Sequence, residues 1–104
     1  MITINNIFDL LHILFDVLGS DFTAEVTSGE CLDDTIKVIR EGSTNAMYIS
    51  FDENFPSVIE AAVYDEPEGY HESDEFPIAE GICWDTEDEK LTPEVIAADI
   101  EKEF

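Results

Sequence analysis

Residues 46–64, AMYISFDENFPSVIEAAVY, decide the fold. The first six put Met47, Ile49 and Phe51 on one side of an extended chain and Tyr48 and Ser50 on the other, the period-two pattern of a half-buried strand. Asp52 to Pro56 has turn chemistry. The last seven admit two readings, because Pro56 and Ser57 ahead of Val58, Ile59, Glu60 and two alanines also suit the start of a short helix. The alternation of Ile59, Ala61 and Val63 against Val58, Glu60, Ala62 and Tyr64 favours a strand, and the two strands then close a meander across the turn.

The segments on either side extend this arrangement. Upstream, Phe22, Ala24 and Val26 alternate with Thr23, Glu25 and Thr27 in a first half-buried strand, and Ser28, Gly29 and Glu30 turn the chain. Thr35 to Glu41 is rich in β-branched residues and breaks at Gly42-Ser43-Thr44-Asn45, a hairpin into Ala46. Ahead of these, Ile4 to Leu18 repeats apolar residues every three or four positions (Ile7, Phe8, Leu10, Leu11, Leu14, Phe15, Val17 and Leu18). Asn5, Asp9, His12 and Asp16 form a separate stripe, so the segment reads as an amphipathic helix. Thr3, Asn5 or Asn6 supplies its cap and Gly19 its stop.

Downstream, Asp65 to Glu75 holds Pro67, Gly69, His71 and six acidic residues and reads as a solvated loop. Phe76 to Trp84 is a short edge strand or extended segment with a bulge at Gly81, followed by an acidic turn from Asp85 to Lys90. Thr92 as N-cap and Pro93 at the first helical position begin a C-terminal helix, with Val95, Ile96, Ile100 and Phe104 facing inward. The expected architecture is a single α+β domain over residues 1–104: an N-terminal amphipathic helix, an antiparallel sheet of four to five strands and a C-terminal helix.

The charge is the anomaly. Against 26 Asp and Glu stand four basic residues, for a net charge of −22 in 104 residues. Useful net charge on a small domain is about 2–8 in magnitude. Apolar residues still make up 44% of the chain, enough to form a core rather than a disordered acidic tail. Met1 to Phe51 carries eight acidic and two basic residues and Asp52 to Phe104 carries 18 and two, so the acidity concentrates in the second half. Such a chain is repelled by nucleic-acid phosphates and anionic membranes, and its partner is expected to be a basic protein. Met1 to Leu18 contains Asp9 and Asp16 but no Lys or Arg, so no secretion signal is read there, and the segment is too short and too charged to span a bilayer. A cytoplasmic location follows as the expectation.

Catalytic patterns are missing. No phosphate-cradling glycine loop, Gly-x-Ser-x-Gly or His-Glu-x-x-His occurs. Asp9, His12 and Asp16 share one helix stripe with the donor types a divalent ion takes, but a solvated polar face explains them as well. Asp85, Glu87 and Glu89 alternate without the central Gly or the closing Glu of a calcium loop. Cys31 and Cys83 fit no zinc spacing, have no basic neighbour in sequence to activate a thiol, and read as half-buried core residues. No enzyme activity, metal or cofactor is expected.

What remains is the presentation of carboxylates. Same-face strand residues lie about 6.6 Å apart, helix neighbours about 6 Å apart, and phosphates advance about 3.4 Å per nucleotide along a DNA strand. A folded carboxylate surface is therefore on the scale needed to occupy a groove built for phosphates. In size, acidity and α+β organisation the chain resembles the small acidic DNA-mimic anti-defence proteins of phages and mobile elements, the anti-CRISPR and anti-restriction class. That resemblance implies a cytoplasmic inhibitor of a host nuclease or its DNA-recognition complex. Asp65, Glu66, Glu68, Glu72, Asp74 and Glu75 in the long loop, with Asp85, Glu87, Asp88 and Glu89 in the following turn, are the residues expected to pair with the partner's Lys and Arg. Two alternatives stand beside it. One is an immunity protein that neutralises a nuclease toxin, with Tyr48, Tyr64, Tyr70 or Trp84 as anchors; the other is a halophilic or calcium-buffering globular protein without a tight partner.

Overall fold

The computed structural model describes residues 3–29, 32–52, 54–65 and 78–104. Helix α1 spans Ile7–Val17. Its start is fixed by a reciprocal cap: the Asp9 N–H donates to Asn6 Oδ1 at 3.0 Å, and the Asn5 N–H donates to the Asp9 carboxylate at 2.9 Å. The first bond satisfies one of the orphan N–H groups of the helix start, and the second ties the residue before the cap to the first turn. The helix thus starts three residues later than the apolar pattern from Ile4 implies, because Asn5 and Asn6 are used as its cap.

Five strands follow: β1 (Phe22–Gly29), β2 (Leu32–Arg40), β3 (Asn45–Phe51), β4 (Val58–Asp65) and β5 (Ala79–Asp85). They form one antiparallel sheet in chain order. The segment that also suited a helix, Val58 to Tyr64, is strand β4. The turn from β2 to β3 passes through Gly42 at φ +86°, a left-handed conformation that a side chain disfavours. The chain ends in α2 (Pro93–Glu101), where the Thr92 hydroxyl accepts the Val95 N–H at 3.2 Å and Pro93 follows the cap.

Register sorts the residues into two faces. Val38 lies opposite Ala24 and Met47, Ile36 opposite Val26 and Ile49, and Met47 and Ile49 opposite Val63 and Ala61. This face is buried at Ile36, Val38, Met47, Ile49, Ile59 and Val63, beneath Ile7, Leu10 and Leu14 of α1 and Ile96, Ala97 and Ile100 of α2. Each such side chain contributes roughly 1.5–3 kcal/mol by leaving water. The C-terminal helix is fastened by direction-specific contacts: Trp84 Nε1–H donates to Asp99 at 2.9 Å, Asn45 Nδ2–H to the Glu103 carbonyl at 3.3 Å, and the Phe22 and Phe104 rings meet edge to face at 5.5 Å.

Several expectations are corrected. Phe8 and Phe15 are 54% and 58% exposed, because α1 buries only its Ile7, Leu10 and Leu14 stripe and its apolar residues wrap beyond it. Val95 points outward and Ala97 takes an inward position, since the buried stripe of α2 runs through Ile96 and Ile100, four residues apart. Cys83 is an exposed free thiol rather than a core residue, because the neighbouring Trp84 takes the inward position of the pleat. Cys31 lies outside the described residues. The expected bulge is present: Ala61 faces Ile82 while Val63 faces Ala79, so β5 holds one extra residue, and Gly81 sits there at φ +79°. Among the described residues, no helix is long and apolar enough to cross a membrane.

Leu14→Ala is expected to cost about 2–5 kcal/mol in urea unfolding, whereas Val95→Ala is expected to stay within about 0.5 kcal/mol of the parent chain.

Candidate partner-binding site

The turn after β5 is an ordered platform for carboxylates. The Glu87 N–H donates to Asp85 Oδ1 and the Lys90 N–H to Asp88 Oδ1, each at 2.9 Å. The Thr86 N–H and hydroxyl both donate to the Ser57 carbonyl, at 2.8 and 3.0 Å, tying this turn to the one between β3 and β4. Buried Leu91 anchors its far side. The four acids of this turn expected to bind a partner divide by length: Asp85 and Asp88 each accept the N–H of the residue two positions on, as short carboxylates do in turns, whereas Glu87 and Glu89 have longer side chains. All four are exposed.

Asp65, also exposed, lies at the other end of β4, opposite Asn45, whereas Asp85 lies opposite Val58. Seven strand steps separate Val58 from Asp65, about 23 Å. The two clusters proposed from the sequence thus start from opposite ends of the β4–β5 ribbon. Glu66, Glu68, Glu72, Asp74 and Glu75 lie outside the described residues.

A further pair of acids, passed over in the sequence, stands beside the platform. Asp52 accepts the N–H groups of Asn54 and Phe55 at 2.8 and 3.2 Å, and its carboxyl also shares a hydrogen bond with Glu60. The backbone hydrogen bond from Asn54 leads in lowering the Asp52 pKa, helped by Glu60, while the hydrogen bond to Asp52 and its negative charge raise that of Glu60. The signal in the sequence was an Asp at the first position of a turn, with a Glu in the outward register of the next strand.

The face of the sheet away from the helices carries a second feature. Register sets Glu25, Lys37, Tyr48 and Ala62 in a row across β1 to β4, with Glu60 opposite Cys83 in the next. The Lys37 ammonium lies 5.8 Å from the centroid of the Tyr48 ring, and Tyr48 and Tyr64 pack nearly perpendicular at 5.6 Å. A concavity of about 510 Å³ opens here between Tyr48, Tyr64, Glu60, Glu80 and Cys83.

Positive charge is largely committed within the chain. Arg40 Nε–H donates to Asp21 at 2.7 Å, holding the Asp21 pKa below its ordinary value, and the Arg40 guanidinium lies 4.9 Å from the Phe22 centroid. Lys102 approaches Asp99 at 3.7 Å. Asp9, His12 and Asp16 do not converge: Asp9 caps α1 and His12 packs edge to face with Phe15 at 6.3 Å. Among the described residues, no three His, Cys, Asp or Glu side chains come together around a point that suits a metal ion. Comparison with protein-family models, curated proteins and solved structures finds no match to this chain.

The raised Glu60 pKa has a definite pH signature. A pKa raised on folding gives stability that is present below the unfolded value and is lost as pH rises through the folded one. Glu60→Gln removes that loss, so its melting temperature is expected to exceed the parent's at pH 7 and to converge with it below pH 4. Glu89→Gln, with the same change in charge, is expected to give a smaller gain at pH 7.

Proposed function

We propose that this protein is an acidic inhibitor that occupies the nucleic-acid-binding surface of a basic protein, a CRISPR or restriction nuclease complex, by setting carboxylates where phosphates would lie. It binds and does not catalyse, and it acts in the cytoplasm of the cell that holds its target. The observation that carries this reading is the turn from Asp85 to Glu89, where the exposed Asp85 and Asp88 carboxylates are held by backbone N–H groups two residues on. Charges fixed before binding lose little freedom when they meet a partner, and that is the advantage of a folded mimic over an acidic tail. The internal engagement of Arg40, Lys102 and Lys37 also supports it, since these cations are already occupied by Asp21, Asp99 and Tyr48.

The tyrosines of the open face favour a second reading, the immunity protein of a nuclease toxin, because buried aromatic anchors dominate tight protein interfaces. The two readings differ in what competes. A mimic is displaced by duplex DNA and loses its partner steeply with salt; an immunity protein holds one nuclease at its active site through aromatic anchors.

The test is capture of partners from a lysate at low salt, repeated at high salt and with competing DNA. Recovery of a nuclease or DNA-binding complex that DNA displaces is the expected result. Glu87→Lys with Glu89→Lys is expected to weaken that complex by about 1–2 kcal/mol, since single exposed pairs contribute about 0.2–1 kcal/mol. Undiminished affinity would remove the turn from the interface. Circular dichroism in dilute buffer is expected to show a folded chain, whereas folding that requires molar salt would point to the halophilic alternative.

A further inference from the structure

The open face of the sheet has the chemistry of a receptor for one particular side chain. Tyr48 and Tyr64, packed nearly perpendicular to one another, line the concavity together with Glu60 and Glu80. Its floor is low because Ala62, beside Tyr48 in the register, carries only a methyl group and Gly81 of the bulge carries none. A Cβ built on Gly81 would meet nothing within 4 Å, so the space above it is open. At about 510 Å³ the hollow is within the range of small-molecule pockets, about 300–1,000 Å³.

Aromatic rings and carboxylates around one hollow select a cation with a flat face. Lys37 already lies over the Tyr48 ring, so the rings of this face do attract positive charge. An ammonium uses such a site only as a point charge. A guanidinium stacks its plane on a tyrosine and directs its N–H donors at carboxylates in a fixed fork.

We propose that the concavity lined by Tyr48, Tyr64, Glu60 and Glu80 binds an arginine side chain of the basic partner, stacked on tyrosine and paired with carboxylate. This rests on the reading that the partner is a basic protein, and it names the side chain that anchors it. The acidic turn would attract the partner at long range through its lysines and arginines alike, while the open face distinguishes arginine from lysine.

The experiment uses two synthetic peptides of equal length and charge, one alternating Gly with Arg and the other Gly with Lys, titrated calorimetrically into the full chain at fixed ionic strength. The arginine peptide is expected to bind about three- to five-fold tighter, the scale of an exposed cation–π contact. Ala62→Leu, which raises the floor, and Tyr64→Leu, which removes a ring, are each expected to abolish that preference and leave the lysine peptide unaffected. The two substitutions act on different walls, so a folding defect in one leaves the other as the test, with circular dichroism as the check. The arginine peptide is also expected to slow alkylation of Cys83, followed by mass spectrometry of the peptide that contains it. Equal binding of the two peptides would overturn the arginine site and leave the acidic-surface reading standing. Binding of neither would overturn both.

Discussion

Burial of the sheet on one side only is the constraint on which the rest depends. With a period of two, each strand commits half its side chains to the layer under α1 and α2 and half to the opposite surface. The inward half is filled by Ile36, Val38, Met47, Ile49, Ile59 and Val63, all inaccessible to solvent. Both helices lie against the same face, and the outward half of the strands is left to chemistry rather than to packing. In a chain with a net charge of −22 the carboxylates have to be kept out of an uncompensated core. They are therefore assigned to turns, helix exteriors and the open sheet face, and the apolar layer holds the chain together against its own repulsion.

Aspartate and glutamate divide the labour within that acidity. Asp9, Asp52, Asp85 and Asp88 each accept at least one backbone N–H close in sequence, and Asp21 and Asp99 receive Arg40 and Trp84. The short carboxylate thus serves the fold at helix starts and turns, where the backbone has donors to satisfy. Glu87, Glu89 and Glu80 are exposed, the first two in the turn braced by Asp85 and Asp88 and the third beside the bulge. Asp52 and Glu60 show the cost of this density: two carboxyls that share a hydrogen bond hold one another's protons unequally.

Much of the fold was legible because period and punctuation agreed. Alternation in β1, β3 and β4, the Gly42 turn and the Thr92-Pro93 start of α2 each carry a local physical cause, and the structure follows them. The failures share another cause. Phe8, Phe15 and Val95 are apolar yet exposed, because an amphipathic pattern names candidates for burial without saying how wide a stripe the neighbouring layer can cover. Cys83 was misplaced because the bulge at Gly81 obscures which residues of β5 point inward until the register is known. For the site, the acidic turn was visible as a run of charge, but its division into capping aspartates and projecting glutamates was not. The concavity was hidden for a topological reason: Tyr48, Ala62 and Gly81 come from three strands, and only their pairing makes them neighbours.

That pairing has a consequence for how the molecule is made. Every strand's partner is the next strand in the chain, so no pairing waits on a distant segment. A sheet of this kind assembles from contacts of short sequence separation, the condition associated with fast folding. During synthesis the ribbon grows at one edge, each new hairpin adding to those already formed, and α1 is available to cover the first strands from the start. The pairing of longest sequence separation is the contact of α2 with α1, the kind whose loop-closure entropy is largest. Trp84, the single tryptophan, donates to Asp99 of α2, so its indole is a built-in spectroscopic reporter of the docking of that helix.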